Sequence, residues 1–456
     1  MSQNHIHRLS VGVLAVMATI LVLLFLLPPL SVEAVSEPPP ENALVGAAMV
    51  CNIENNQTLY EKNLDARIYP SSSVKIMTGM LACRALRERQ GEVVTITASM
   101  VNGVEGRRMN PPLAEGECLT IRSLLEAAIG GGYNDAASVV ACLASGSIAA
   151  FIQEMNEEAA RLGTKLTNYT NVTGLHDPAM STSVRDVSII AREAYRDDLY
   201  MEVSSADTYL VPATNIAPDR PFRNRNYLIS SSDYLNGYCR GMNAGMTDEG
   251  GWCVVTVCER GGANNLCIVM CTQDGGEDAP IPAYTYTNEL LAWANRAYAY
   301  RTVLAAGEVY DTSPVSLTGI SKSEAELVPT TDLKIYLSSN AMVEEGALSY
   351  QTVIEGGKLS APLRSGDVVG TVTVSYGGRV VGRADLTVTE DFDRNAFVGG
   401  MMAFRGYLTG RAFWITVPLF IVSLLLFLRA TSGTHGRYGI RSARRRKRVR
   451  YKRRRY

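Results

Sequence analysis

Histidine is nearly missing from this sequence. Of its four histidines, only His176 lies between the two apolar segments that frame the chain; His5 and His7 precede them and His435 follows. A two- or three-histidine zinc site is therefore excluded from the body of the protein. A Ser-His-Asp triad would have to use His176, in the loop-like run Gly174-Leu175-His176-Asp177-Pro178. If the body is a hydrolase, its expected base is a lysine. Metal-type cysteine spacing is also lacking, because none of the nine cysteines (51, 83, 118, 142, 239, 253, 258, 267 and 271) forms a CxxC pair. Their odd number leaves at least one free or intermolecular thiol. Cys253, Cys258, Cys267 and Cys271 lie in apolar strand-like runs and read as small buried apolar residues, so no disulfide framework is predicted. There is no internal repeat.

Acidic residues are missing from the C-terminal tail. From Arg429 to Tyr456 there are thirteen Lys/Arg and no Asp or Glu. The remainder carries 31 basic against 45 acidic residues, a net of −14, which the overall net charge of −1 conceals. Just ahead of this polycation, Ala412 to Leu428 (AFWITVPLFIVSLLLFL) is about the minimum length for a membrane-spanning helix. The basic flank is expected to stay in the cytoplasm, which places the body outside it. Anionic lipid is the expected partner of the tail, and no nucleic acid is expected. A first apolar run, Val11 to Leu30, follows Arg8 and precedes the small-residue site Val32-Glu33-Ala34. It reads as a signal peptide or, given its length, an uncleaved signal anchor.

The 456 residues, 46% apolar and 20% charged, suit two or three folded domains. Residues 1–34 are the signal or anchor segment and 35–42 a proline-rich linker. Between 43 and 301, strands are predicted at Ala43–Asn52, Thr58–Tyr60, Trp252–Glu259 and Asn265–Thr272. Helices are predicted after Ser72 and at Ile121–Ile129, Asp135–Leu143, Ile148–Leu162, Ser183–Asp197 and Asn288–Ala297. Strands at both ends with helices between imply an α+β fold, one antiparallel sheet packed on a helical cluster. Residues 302–392 change character. Short Val/Thr/Tyr-rich segments (Leu333–Leu337, Gln351–Ile354, Val368–Tyr376, Arg379–Thr389), punctuated by glycine pairs, predict a small all-β domain. A membrane-proximal segment (393–411), a spanning helix (412–428) and a basic tail (429–456) complete the plan.

The chemistry centres on Pro70-Ser71-Ser72-Ser73-Val74-Lys75, the chain's only Ser-x-x-Lys. At a helix start, residues i and i+3 share a face, so the amine of Lys75 lies beside the hydroxyl of Ser72. A serine needs a base to become a nucleophile. A lysine serves only if burial or positive neighbours pull its pKa well below about 10.4. The blander alternative is a serine cap with a solvated lysine.

The order of motifs resembles the serine D-Ala-D-Ala carboxypeptidases, the low-molecular-mass penicillin-binding proteins, across roughly residues 41–392. It includes Ser72-x-x-Lys75, Leu124-Leu125…Asn134-Asp135-Ala136-Ala137, Gly174-Leu175-His176-Asp177…Ser181-Thr182, Asn224-x-Asn226-x-Leu228 and Gly241 to Thr247. Ala361-Pro362-Leu363-x-x-Gly366-x-x-Val369-Gly370 is similar to the family's C-terminal domain. The resemblance implies a penicillin-binding/serine β-lactamase-like transpeptidase domain with no cofactor or metal. Its implied partners are peptidoglycan stem peptides and β-lactams, provided the site is competent. Ser72 matches the acyl-enzyme nucleophile and Lys75 its general base. The family's Ser-x-Asn reads Gly132-Tyr133-Asn134 here, and its Lys-Thr-Gly reads Asn243-Ala244-Gly245. The N–H of Met246, with that of Ser72, matches the oxyanion hole.

These departures weaken the expected site. Gly132 cannot relay a proton, help typically worth about 10²–10⁴ in rate. Asn243 offers no cation, and Ala244 no hydroxyl, to a substrate carboxylate; each lost polar contact costs about 1–3 kcal/mol. Arg240 is expected to point away from the site, and Arg223 and Arg225 read as solvated loop charges. Two functions remain open: an attenuated D,D-carboxypeptidase, or a non-catalytic scaffold that binds cell-wall peptides.

Overall fold

The computed structural model describes residues 38–273, 281–318, 323–339 and 346–435. The expected signal or anchor run and all but the first seven residues of the basic tail lie outside these. The described residues fall into two compact units. One runs to Arg301 and takes in Lys334–Leu348; the other comprises Thr302–Leu333 and the chain from Ser349.

The first unit is built on a five-stranded antiparallel sheet. Its strands are β1 (Val45–Asn52), β2 (Thr58–Lys62), β3 (Cys239–Thr247), β4 (Gly251–Arg260) and β5 (Ala263–Thr272), in the spatial order β2-β1-β5-β4-β3. Both faces are buried, which explains why the strands read as continuous apolar runs. Along β5, Leu266, Ile268 and Met270 join one core, while Cys267 and Val269 join the other. Period-two alternation thus sorts successive side chains between two cores. The first core lies against a helical cluster: α1 (Val74–Leu86), α2 (Ile121–Ile129), α3 (Asn134–Ser145), α4 (Ile148–Leu162) and α5 (Val184–Tyr195). The second is covered by α6 (Pro282–Ala297), which buries Tyr284, Tyr286, Leu290, Leu291 and Trp293.

The helix starts follow from local chemistry. Thr120, Ser147 and Ser183 accept hydrogen bonds from the backbone N–H three residues on, at 3.1–3.2 Å, and so cap α2, α4 and α5. Gly146 and Gly163 end α3 and α4 in the left-handed conformation that glycine adopts without strain.

The second unit holds a six-stranded sheet. In spatial order its strands are Leu348–Ile354, Val368–Tyr376, Arg379–Val388, Ser323–Pro329, Asp311–Ser316 and Leu359–Ser360. Two helices follow, α7 (Ala396–Thr409) and α8 (Arg411–His435). The apolar part of α8, Arg411–Thr431, has 21 residues and a mean hydropathy of 2.1. It is long and apolar enough to cross a membrane, at about 1.5 Å per residue.

Candidate active site

A tight turn, Ser71–Ser73, leads directly into α1. Ser71 sits in the left-handed region (φ 50°), a conformation that costs a non-glycine residue about 1–2 kcal/mol. It is held from the sheet side: its hydroxyl donates to the Gly251 carbonyl at 3.1 Å and accepts from Thr247 Oγ1 at 3.4 Å. The turn sets Ser72 and Lys75 on one face at the floor of a cleft of about 390 Å³. Both are buried, Ser72 at 7% and Lys75 at 5% exposure. Lys75 is therefore not the solvated lysine of the bland alternative.

The Lys75 amine donates to the Thr173 carbonyl at 2.6 Å. Burial pulls its pKa down to about 7, opposed by the nearby Cys253 thiol and assisted by the guanidinium charges of Arg107 and Arg225. The missing lysine at 243 is thus not required to bring this base near neutrality; desolvation does most of it. The Thr173 carbonyl is fixed in turn. Asn171 Oδ1 accepts from the N–H groups of Thr173 and Gly174 at 3.1 and 2.8 Å. Gly174 (φ 82°) lies so close to the Ser71 carbonyl that no Cβ fits.

The remaining walls come from three segments. Asn134 opens α3, is 3% exposed, and donates from Nδ2 to the Glu105 carbonyl at 2.9 Å. Its neighbour Asp135 accepts from the N–H groups of Met109 and Leu113 at 3.1–3.2 Å, which anchors the loop carrying Glu105, Gly106 and Arg107. Gly132 lines the cleft with φ 67°. A Cβ there would lie 3.6 Å from the side chain of Arg225, an ordinary contact. From β3, Ala244, Gly245 and Met246 line the cleft. Gly245 is sterically obligatory, because a Cβ would sit 2.7 Å from both Cβ and Oγ of Ser72. Ala244 is buried among the apolar residues of the far core. Asn243 is 3% exposed and does not line the cleft; its Oδ1 has no hydrogen-bond partner among the described residues.

The cleft therefore gathers Ser72, Lys75, Gly132, Asn134, Ala244, Gly245 and Met246, while Asn243 is not among the residues that line it. Arg225 departs from the solvated-charge expectation. It lines the cleft, its guanidinium 4.9 Å from the Trp252 ring centroid, and donates to the Tyr227 hydroxyl at 2.7 Å. Arg107, for which the sequence carries no motif, also lines the cleft, its guanidinium 4.6 Å from the Tyr133 ring centroid. Arg240 makes an ion pair with Glu259 at 2.8 Å, and Arg223 donates to the Ser230 carbonyl at 3.3 Å. His176 borders the cleft with its ring edge-on to Tyr69, centroids 4.6 Å apart. Glu105, Asp248 and Glu249 bring negative charge to the same rim.

Comparison with known proteins gives a consistent result. Residues 32–274 match the D-alanyl-D-alanine carboxypeptidase family, and residues 298–394 match the C-terminal domain of penicillin-binding protein 5. The D-alanyl-D-alanine carboxypeptidase DacF of Bacillus subtilis is 22% identical over 356 residues, covering 77% of this chain and 87% of its own. DacC of Escherichia coli is 24% identical over 377 residues, covering 78% and 86%. Among solved structures, penicillin-binding protein 5 of Haemophilus influenzae superimposes with a TM-score of 0.56 at 24% identity, covering 78% of this chain and all of its own. A peptidoglycan synthesis regulatory factor (PBP3) of Streptococcus pneumoniae gives 0.59 at 19% identity, covering 77% and 100%. These two structures share the fold: mixed helices and strands, with an all-β domain beyond. The chain is a member of the D-alanyl-D-alanine carboxypeptidase family.

Proposed function

We propose that this protein is a slow serine acyl-transferase of the D,D-carboxypeptidase type, acting on peptidoglycan stem peptides. Ser72 Oγ attacks the amide carbonyl of the terminal D-Ala-D-Ala, and Lys75 takes the hydroxyl proton. The proton taken by Lys75 passes to the amide nitrogen, and terminal D-Ala leaves as the amine. Water then hydrolyses the ester to Ser72, which releases the shortened peptide as a carboxylate and restores the hydroxyl. A β-lactam would acylate the same hydroxyl. Asn134 holds the substrate amide, and the N–H groups of Ser72 and Met246 receive the developing oxyanion. The observation that carries this reading is the Lys75 amine, buried at a shared cleft with Ser72 and held at about 7. A group poised there is an effective base at neutral pH.

The activity is attenuated because proton relay to the leaving amine has no hydroxyl at Gly132, and the wall has neither cation nor hydroxyl at Asn243 and Ala244. Arg107 and Arg225 are the cations the cleft offers to a terminal carboxylate. The apolar helix α8 anchors the protein in a bacterial cell membrane, with the domains at 43–301 and 302–392 extracytoplasmic and the basic tail inside. One experiment tests the reading. The full chain is incubated with a fluorescent penicillin and with a Lys-D-Ala-D-Ala peptide, beside Ser72→Ala. Ser72-dependent labelling with slow D-Ala release is expected. Neither labelling nor release would leave the second reading, a scaffold that binds cell-wall peptides without turnover. That reading is favoured by the buried, unpartnered amide oxygen of Asn243 where the family has a lysine.

A further inference from the structure

Away from the cleft, β3 and β4 set two cysteines against each other. Their register pairs Cys239 with Cys258, and both side chains belong to the core covered by α6. Directly opposed residues on antiparallel strands have Cα atoms about 4.5–5.5 Å apart. That lies inside the roughly 4.4–6.8 Å that a disulfide spans. Cys267 shares this face but stands opposite Thr256, diagonal to Cys258. Diagonal neighbours are about 7–8 Å apart, at or beyond the limit of a disulfide. Cys253 belongs to the core on the other face of the sheet. The geometry therefore selects one partner for Cys258.

We infer that Cys239 and Cys258 are a disulfide-forming pair that closes when the body of the protein folds outside the cytoplasm. The compartment in this inference rests on the topology proposed above; the pairing does not. Support comes from the thiols themselves. Cys239 is hydrogen-bonded to Cys258 and holds its thiol below the usual value, and Asn295 Nδ2 donates to Cys258 Sγ at 3.6 Å. Cys258 is fully buried and Cys239 is 9% exposed, so Cys239 is the sulfur that an external disulfide reaches. Its thiolate displaces one half of that disulfide, such as oxidised glutathione or the CxxC disulfide of a thiol oxidoreductase. The Cys258 thiolate, favoured by its hydrogen bonds, then attacks the Cys239 sulfur of the mixed disulfide and displaces the other half. Two S–H bonds are exchanged for one S–S bond, and the external disulfide leaves as two thiols carrying the two protons.

The placement gives the bond a mechanical role. β3 is an edge strand, and its pairing with β4 shifts register between Arg240 and Asn243. Cys239 lies on one side of that irregularity and the cleft wall from Ala244 to Met246 on the other. A disulfide at 239–258 ties down the far end of the strand that forms the wall.

The test uses the full chain, purified in detergent and reduced. It is equilibrated with glutathione redox mixtures, then quenched with N-ethylmaleimide in denaturant and digested with trypsin. The expected product joins peptides 226–240 and 241–260, lighter by two hydrogens and separated by dithiothreitol. Because 241–260 also contains Cys253, the link must persist in Cys253→Ser and vanish in Cys258→Ser. Oxidation should raise the melting temperature of the wild type and leave that of Cys239→Ala unchanged. Full alkylation of both cysteines at every ratio, only glutathione adducts, or a Cys258–Cys267 link would each overturn the pairing. The same mapping on protein alkylated in intact cells separates the two claims. A pair that closes in vitro but is open in cells overturns the compartment and leaves the pairing standing.

Discussion

The start of α1 and the wall formed by β3 meet in one cleft, and they have kept different things. The start of α1 keeps both of its chemical side chains, Ser72 and Lys75, and the turn that presents them. The wall keeps Gly245, whose missing side chain lets the strand press against Ser72, and carries Asn243 and Ala244 where the family's motif has lysine and threonine. Gly174 belongs with the retained set, since it packs against the turn at Ser71. Set beside the family's motifs, the start of α1 carries the matching serine and lysine, and Gly174 and Gly245 make the close approaches to Ser71 and Ser72. Positions 132, 243 and 244 carry glycine, asparagine and alanine, which offer neither hydroxyl nor cation.

The largest effect expected is total. Ser72→Ala should abolish covalent labelling by a fluorescent penicillin while the melting temperature holds. Labelling that survives would place the nucleophile elsewhere and dissolve the contrast between the two sides. Next is Gly245→Ala, which sets a methyl 2.7 Å from Ser72 Oγ and pushes β3 away from α1. Displacements near 1 Å can cost about 10² in rate. An acylation rate within twofold of wild type would show that the glycine is incidental.

A smaller effect concerns the base. Lys75 acts when neutral, so acylation should rise with pH, fall about tenfold per unit below its midpoint near 7, and flatten above it. Arg225→Gln removes a cation that disfavours the lysinium, so the midpoint should move upward. An unmoved midpoint would assign the shift to burial and Arg107. The smallest effect is expected from Gly132→Ser, because φ 67° strains any side chain by about 1–2 kcal/mol. The triple variant Gly132→Ser, Asn243→Lys, Ala244→Thr should raise D-Ala release beyond that single change. No gain would mean that the wall no longer accepts the restored residues, in keeping with Ala244 buried in the far core.

Much of the framework could be read from local signals. Spacing placed Ser72 and Lys75 on one helical face. The predicted helices Ile121–Ile129 and Ile148–Leu162 coincide with α2 and α4, and apolar runs marked β4 and β5. What escaped depends on contacts far apart in sequence. Arg225 looks like a loop charge until Trp252 and Tyr227 fold against it. Nothing near Arg107 signals that Gly131 and Tyr133 will hold it beside Lys75. Arg240 does point away from the cleft, to Glu259, although the register shift before Asn243 breaks the regular alternation on which that expectation rests. α6 begins at Pro282 rather than Asn288, because the intervening Tyr-Thr-Tyr-Thr favours strand on propensity and helix only through burial against the sheet. In the second unit, Asp311–Ser316 and Ser323–Pro329 carry proline and acidic residues that mask them as strands.

The position of β3 at the rim of its sheet has a further consequence. On one side it pairs with β4; on the other, among the described residues, no strand follows. The carbonyls of Gly241 and Met242 accept from Asn226 Nδ2 at 2.6 Å and the Tyr200 hydroxyl at 3.2 Å, so an extended peptide can pair only with the strand beyond them. Main-chain pairing of this kind does not depend on a lysine or threonine. A ligand docked in register along that stretch is held by its backbone and needs no particular side chain at 243 or 244.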